Sequence, residues 1–187
     1  MKRAYGFTIV ELLIVIVVIG ILAAISVVAF NNVSQKANNT AIIDAAAQTK
    51  KLTEAYVALE GKYPLPGPAT MLACVTTATG CHVSSNGSVT QNATFESSIG
   101  SIGQPPRSVP TFGDSNYGVT LTYWGSATAG PLYMQYFLQG VNQQCGLSRI
   151  TNASITGFSS TGYTNGNIGG AGKTQCIVRI EGPPHPA

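Results

Sequence analysis

Residues 6–30 read GFTIVELLIVIVVIGILAAISVVAF, and the reading of this stretch decides the fold. From Phe7 to Phe30 nearly every side chain is apolar, and Glu11, near the start, is the one ionisable group. A helix rises 1.5 Å per residue, so roughly 20 apolar residues span the hydrocarbon of a bilayer. The run therefore predicts a transmembrane helix. Lys2 and Arg3 precede it and the next basic residue is Lys36, so the positive-inside bias keeps the first residues cytoplasmic and sends the remainder outward. A cleaved secretory signal has a shorter core and a small-residue cleavage site, which Leu22-Ala23-Ala24 imitates. Glu11 argues against that alternative, because a carboxylate costs roughly 2.5 to 3.5 kcal/mol at a bilayer centre and a signal core has no use for it.

Lys2-Arg3-Ala4-Tyr5-Gly6 followed by Phe7-Thr8-Ile9-Val10-Glu11-Leu12-Leu13 resembles the class III signal of type IV pilins and the related pseudopilins. The resemblance implies that a membrane prepilin peptidase cuts after Gly6 and methylates the new amine of Phe7, with the apolar segment retained. It further implies a homo-oligomeric helical filament built through that segment, with an assembly platform and motor ATPases as partners. The precursor would sit in the cytoplasmic membrane as a single-pass protein with its head outside, and the product would be an extracellular pilus.

The chemistry at these positions suits that role. Gly6 has no side chain to obstruct entry of the backbone into a protease cleft. A cut there would leave an ammonium on Phe7 and a carboxylate on Glu11 one helical turn along, both in low dielectric, where each recovers much of its desolvation cost by pairing. Pairing the amine of one subunit with Glu11 of the next is a heterologous contact that does not close, which is what builds a filament. Many pilins carry a proline late in the apolar half; residues 21–30 here have none, leaving Gly20 as the expected place for the helix to unwind on assembly, or simply a glycine tolerated in a membrane helix.

Beyond the membrane run, Ile42, Ala45, Ala46, Thr49, Leu52, Tyr56 and Leu59 recur at three and four residue steps, an apolar stripe on a continuing helix. Gly61 is placed to end it in the left-handed conformation and Pro64 forbids its continuation, with Tyr63 expected to pack back on the last turn. Residues 64–116 have little periodicity. A short helix from Thr94 to Ile102, capped by Thr94, is the one element suggested there, and Gly100 weakens it. From Tyr117 period-two alternation takes over. Val119, Leu121 and Tyr123 against Thr120, Thr122 and Trp124 predict a half-buried strand, Leu132 to Leu138 its hairpin partner, and Arg149 to Thr151, Ile155 to Phe158 and Gln175 to Glu181 further strands. One-sided antiparallel strands need a cover, which the stripe on residues 42–59 supplies. The expected fold is α+β and pilin-like: a long N-terminal helix, its first half transmembrane, packed on a small antiparallel sheet. The expected divisions are a cleaved leader 1–6, an assembly half 7–30, a packed helix half 31–60 and a β-rich head 61–187.

Four cysteines in an exported segment read as two disulfides with three possible connectivities. Cys74 with Cys81 and Cys145 with Cys176 is favoured, since each pair brackets a loop rich in Gly, Ser and Thr. The second loop resembles the disulfide-bounded region of many pilins. A metal site is disfavoured, because no pair has C-x-x-C spacing and the two histidines fall at His82 and His185.

Formal net charge is +3, and loss of Lys2 and Arg3 would lower it to +1, so nothing electrostatic points to nucleic acid. Charged residues are only 9% of the chain, which leaves a surface of hydroxyls and amides. Gly169-Gly170-Ala171-Gly172-Lys173-Thr174 imitates the end of a phosphate-binding loop, yet Asn167 stands where its first glycine belongs and a strand follows in place of a helix. Neither a catalytic function nor a cofactor is expected. Asn-x-Ser/Thr triplets stand at Asn32, Asn38, Asn86, Asn92 and Asn152, and in a chain so rich in Asn, Ser and Thr chance explains most of them. The expected function is a structural pilin subunit serving adhesion, twitching motility or DNA uptake. The alternatives are a pseudopilin of a type II secretion or competence system and a monomeric membrane-anchored binding domain. Glu11 speaks against the last, and the long Gly, Ser and Thr rich head favours the first.

Overall fold

A chain with no proline before Pro64 and one glycine inside its apolar run has little to interrupt a helix. In the computed structural model α1 runs unbroken from Ile9 to Glu60. The structure describes residues 8–65, 72–75, 80–83, 87–106, 109–113, 116–123, 132–147, 163–165 and 172–183. Contacts divide the chain into two compact units, one ending at Ala37 and the other beginning at Asn38.

The described part of the first unit is helix from Ile9 onward. Its most apolar 18-residue window has a mean hydropathy of 3.3 and buries nothing, so by length and composition it can cross a membrane. The helix passes through Gly20 without a break, and nothing lies within 4 Å of where a Cβ would stand.

The second unit is an α+β head. Its sheet has five strands in the order β1 (Leu72–Cys74), β4 (Val119–Tyr123), β5 (Leu132–Gln139), β7 (Lys173–Arg179) and β6 (Tyr163–Asn165), every neighbouring pair antiparallel. A separate hairpin of β2 (Cys81–Val83) and β3 (Gly87–Val89) and a short helix α2 (Ala93–Ile99) complete it. The register Val119 to Tyr136, Leu121 to Met134 and Tyr123 to Leu132 gathers one face of β4 and β5. That face joins Cys176, Val178 and Ile180 and packs in one core with Ile42, Ala45, Ala46, Tyr56 and Val57 of α1. The helix stripe thus covers the sheet as its periodicity requires.

Several expectations shift. Leu59 is 73% exposed, whereas Thr53 and Val57 are buried. At 100° per residue Leu59 points roughly 100° away from the centre of the buried stripe, so it never belonged to that face. The strand expected to be half-buried is buried throughout, Thr120 and Thr122 included. Its second face carries another apolar cluster, Cys74, Cys81, Val83, Val89 and Phe137, which the β2–β3 hairpin helps to build. Strands β1, β2 and β3 all lie in the region read as having little periodicity; three residues are too short to display any. The short helix begins earlier than expected, because Asn92 and not Thr94 is its cap, the Asn92 side chain accepting from the Phe95 N–H at 3.0 Å. Phe95 and Ile99 are buried.

Gly61 ends α1 with φ 66° and its N–H on the Val57 carbonyl at 2.9 Å. Tyr63 then reaches the sheet: its ring meets Tyr123 edge-on and its hydroxyl donates to the Ile180 carbonyl. The strands expected at 149–151 and 155–158 lie outside the described residues.

Candidate functional site

Four N–H groups at the start of any helix lack an intrahelical acceptor, and an apolar first turn has few side chains to offer them. Here Thr8 and Glu11 supply the acceptors. The Thr8 N–H donates to Glu11 Oε2 at 2.8 Å, the Thr8 hydroxyl donates to the same oxygen at 2.7 Å, and the Glu11 N–H donates to Thr8 Oγ1 at 3.2 Å. This is a reciprocal capping box, with Thr8 at the cap and Glu11 at the third helical position. A carboxylate in the first turn also faces the positive end of the helix dipole. Sequence reasoning picked out Glu11 and passed over Thr8, although the signal, Thr-x-x-Glu ahead of an apolar run, stands in the sequence. Gly6 and Phe7 lie outside the described residues.

Below the box, the seventeen large apolar side chains from Ile9 to Val33 are each at least 48% exposed. Each contributes roughly 1.5 to 3 kcal/mol when fully removed from water, so the sum runs to tens of kcal/mol. An exposed surface of that size needs lipid or other protein against it.

In the head, Cys74 and Cys81 form a disulfide with Cα atoms 5.4 Å apart, and Cys145 and Cys176 form another at 5.7 Å. The first ties β1 to the β2–β3 hairpin; the second ties the segment after β5 to the middle of β7. All four sulfur-bearing residues are buried. Gly118, with φ 87°, presses on the first bridge so closely that a Cβ there would stand 2.4 Å from Cys81 Sγ. Tyr136 spans the core to donate its hydroxyl to the Cys145 carbonyl, and burial raises it well above the usual tyrosine range.

Among the described residues no group of three or more His, Cys, Asp or Glu side chains is placed to hold a metal ion. His82 Nδ1 accepts from the Asn116 N–H at 3.4 Å, while His185 lies outside the described residues. Of the run that imitates a phosphate loop, Lys173 and Thr174 are strand residues of β7. The Lys173 ammonium lies 4.9 Å over the Phe112 ring.

A capped helix with an exposed apolar first half, joined to a disulfide-linked α+β head, defines a class of protein, and comparisons with known proteins agree with it. Residues 1–27 match the prokaryotic N-terminal methylation motif. The chain is similar to Fimbrial protein Q of Moraxella bovis, with 41% identity over 69 residues, 37% of this chain and 43% of that protein. The match thus spans less than half the length of that relative. No solved structure matches the chain.

Proposed function

We propose that this chain is a type IV pilin, a structural subunit and not an enzyme, that polymerises through its N-terminal helix into a surface filament. The observation that supports the reading most directly is the juxtaposition at the start of α1. A carboxylate, Glu11, sits in the first turn of a long exposed apolar helix, inside the residues that match the methylation motif. In this reading prepilin peptidase removes residues 1–6 and methylates Phe7, the helix anchors the precursor in the cytoplasmic membrane, and the platform and motor of the assembly machine extract it. Glu11 of one subunit receives the Phe7 amine of another, which matches their charges and sets the axial step.

The test combines electron microscopy of sheared cell-surface material with mass spectrometry of the filaments. Filaments made mainly of this chain and beginning at a methylated Phe7 are expected. Glu11→Ala should leave the precursor inserted and abolish the filaments; wild-type filament yield from that variant would refute the pairing. An intact Met1, or a cut near Ala24, would sink the processing. Processed protein confined to the membrane would favour a pseudopilin.

A further inference from the structure

Asparagine is a poor helix former, because its amide competes for nearby backbone groups. Asn39 nevertheless sits inside α1, buried, at the first turn of the head unit. Its carboxamide meets the peptide at the end of β5 on both sides: Asn39 Nδ2 donates to the Gln139 carbonyl at 2.9 Å and the Gln139 N–H donates to Asn39 Oδ1 at 2.8 Å. A second donation from Nδ2 reaches Gln143 Oε1 at 3.3 Å. A helix side chain thus completes the hydrogen bonding of a strand residue.

The contact is locked from behind. The Gly140 N–H donates to the Gly172 carbonyl at 2.7 Å, the Thr174 hydroxyl donates to the Gly140 carbonyl at 2.7 Å, and the Gln143 N–H donates to Thr174 Oγ1 at 2.9 Å. Farther along, Gly146, with φ 75°, lets Ile43 approach until a Cβ would stand 2.9 Å from its Cγ2. Ala47 and Leu147 line the same shallow groove. Residues 39, 43 and 47 lie one turn apart on a single helix face, and the first two meet Gln139 and Gly146. Sliding the helix by one turn would set Ile43, whose side chain neither donates nor accepts, against the Gln139 peptide.

We infer that Asn39 is a positioning residue for assembly: it keys residues 38–60 of α1 to one rotation and one axial register on the sheet, so that every subunit presents its head identically. The inference rests on the filament reading above. A helical array needs each copy to be the same, and an apolar stripe alone fixes register loosely, since apolar contacts carry no direction.

The test is Asn39→Asp in the full chain. At neutral pH the carboxylate keeps an acceptor for the Gln139 N–H and turns its second oxygen on the Gln139 carbonyl and Gln143 Oε1, two acceptors. In acid the protonated carboxyl regains a donor, and burial raises the pH at which it does so. Expected at pH 7 are amide exchange at Gln139 and Gly140 at least tenfold faster than wild type and a several-fold loss of ordered filaments, with processing and membrane insertion unchanged. Both should return toward the wild-type values measured at the same pH as the solution is made acid. Asn39→Ala, which leaves room for water, should show the same loss without recovery in acid. Wild-type exchange and filament order for Asn39→Asp at pH 7 would overturn the inference, and so would equal loss by both variants at both pH values. Absence of filaments from wild type would instead overturn the filament reading, leaving the exchange measurement to decide the role of Asn39.

Discussion

Two lengths of one helix behave in opposite ways. Residues 9–33 expose every large apolar side chain they carry. Residues 39–57 expose few and bury Ile42, Ala45, Ala46, Thr49, Thr53, Tyr56 and Val57. The difference lies in pattern more than in composition. Where apolar residues recur at three and four residue steps, the opposite face can stay wet and the stripe finds a sheet within its own chain. Where they are continuous, no internal partner is large enough, and the surface has to be completed from outside. One half is stabilised by its own fold and the other by its surroundings, so substitutions in the two should report on different measurements.

The largest effect belongs to the head. Gly118→Ala places a Cβ 2.4 Å from Cys81 Sγ and 2.9 Å from Cys81 Cβ at a φ of 87°. Overpacking and left-handed strain together should cost about 4 kcal/mol. Thermal unfolding of the full chain in micelles should register that as a drop of more than about 10 °C in head melting, with helix content of the first unit retained. A smaller drop would mean that the β2–β3 hairpin can move away from Gly118.

The two disulfides come next and should separate by loop length. Cys145→Ala with Cys176→Ala opens a span of 31 residues and should cost about 3.7 kcal/mol, while Cys74→Ala with Cys81→Ala opens a span of 7 and should cost about 2.5 kcal/mol. Denaturant titration of each double variant checks the order; equal costs would mean that packing around the sulfurs outweighs loop entropy.

Tyr136 offers a contrast in pH. Burial raises Tyr136 and Tyr123 above the usual value of 10, so folding favours their neutral forms. Their contribution is complete below about pH 10 and is lost as pH climbs beyond it. Head stability should therefore fall on the alkaline side, and Tyr136→Phe should shallow that fall. At pH 7 the same variant leaves the Cys145 carbonyl without its hydroxyl donor, at about 1 to 2 kcal/mol. Unfolding midpoints from pH 8 to 11 test both signs; an unchanged alkaline slope would remove Tyr136 from the account.

What was legible in the sequence follows the same division. The apolar run, Glu11 and the stripe from Ile42 to Tyr56 could be read because helical signals repeat over many residues. The hairpin of β4 and β5 could be read because its alternation is long enough to count. Strands β1, β2 and β3 could not, since each is three residues long and is held by pairing with distant partners. Burial of Thr120 and Thr122 was equally hidden, because threonine on a strand says nothing about a second layer above it. Asn39 was not singled out, because it lies outside the stripe that begins at Ile42 and its meaning depends on a peptide 100 residues away. Thr8 was local and legible, but Glu11 beside it already carried an explanation.

Thr8 supplies the smallest effect and the cleanest separation of the two halves. Thr8→Ala removes the hydroxyl that donates to Glu11 Oε2 and accepts from the Glu11 N–H, leaving the Thr8 backbone bond in place. Loss of such a cap costs about 1 kcal/mol of helix stability, spent in the first turn. A fault there has no packed neighbour through which to travel, because the residues that follow are exposed throughout. Head melting should therefore not move, while amide exchange at Glu11 and Leu12 in micelles should quicken about fivefold, and Thr8→Ser should restore it. A shift in head melting would mean that the first turn and the head are energetically coupled after all, and the division of the helix into a self-stabilised half and an environment-stabilised half would have to be withdrawn.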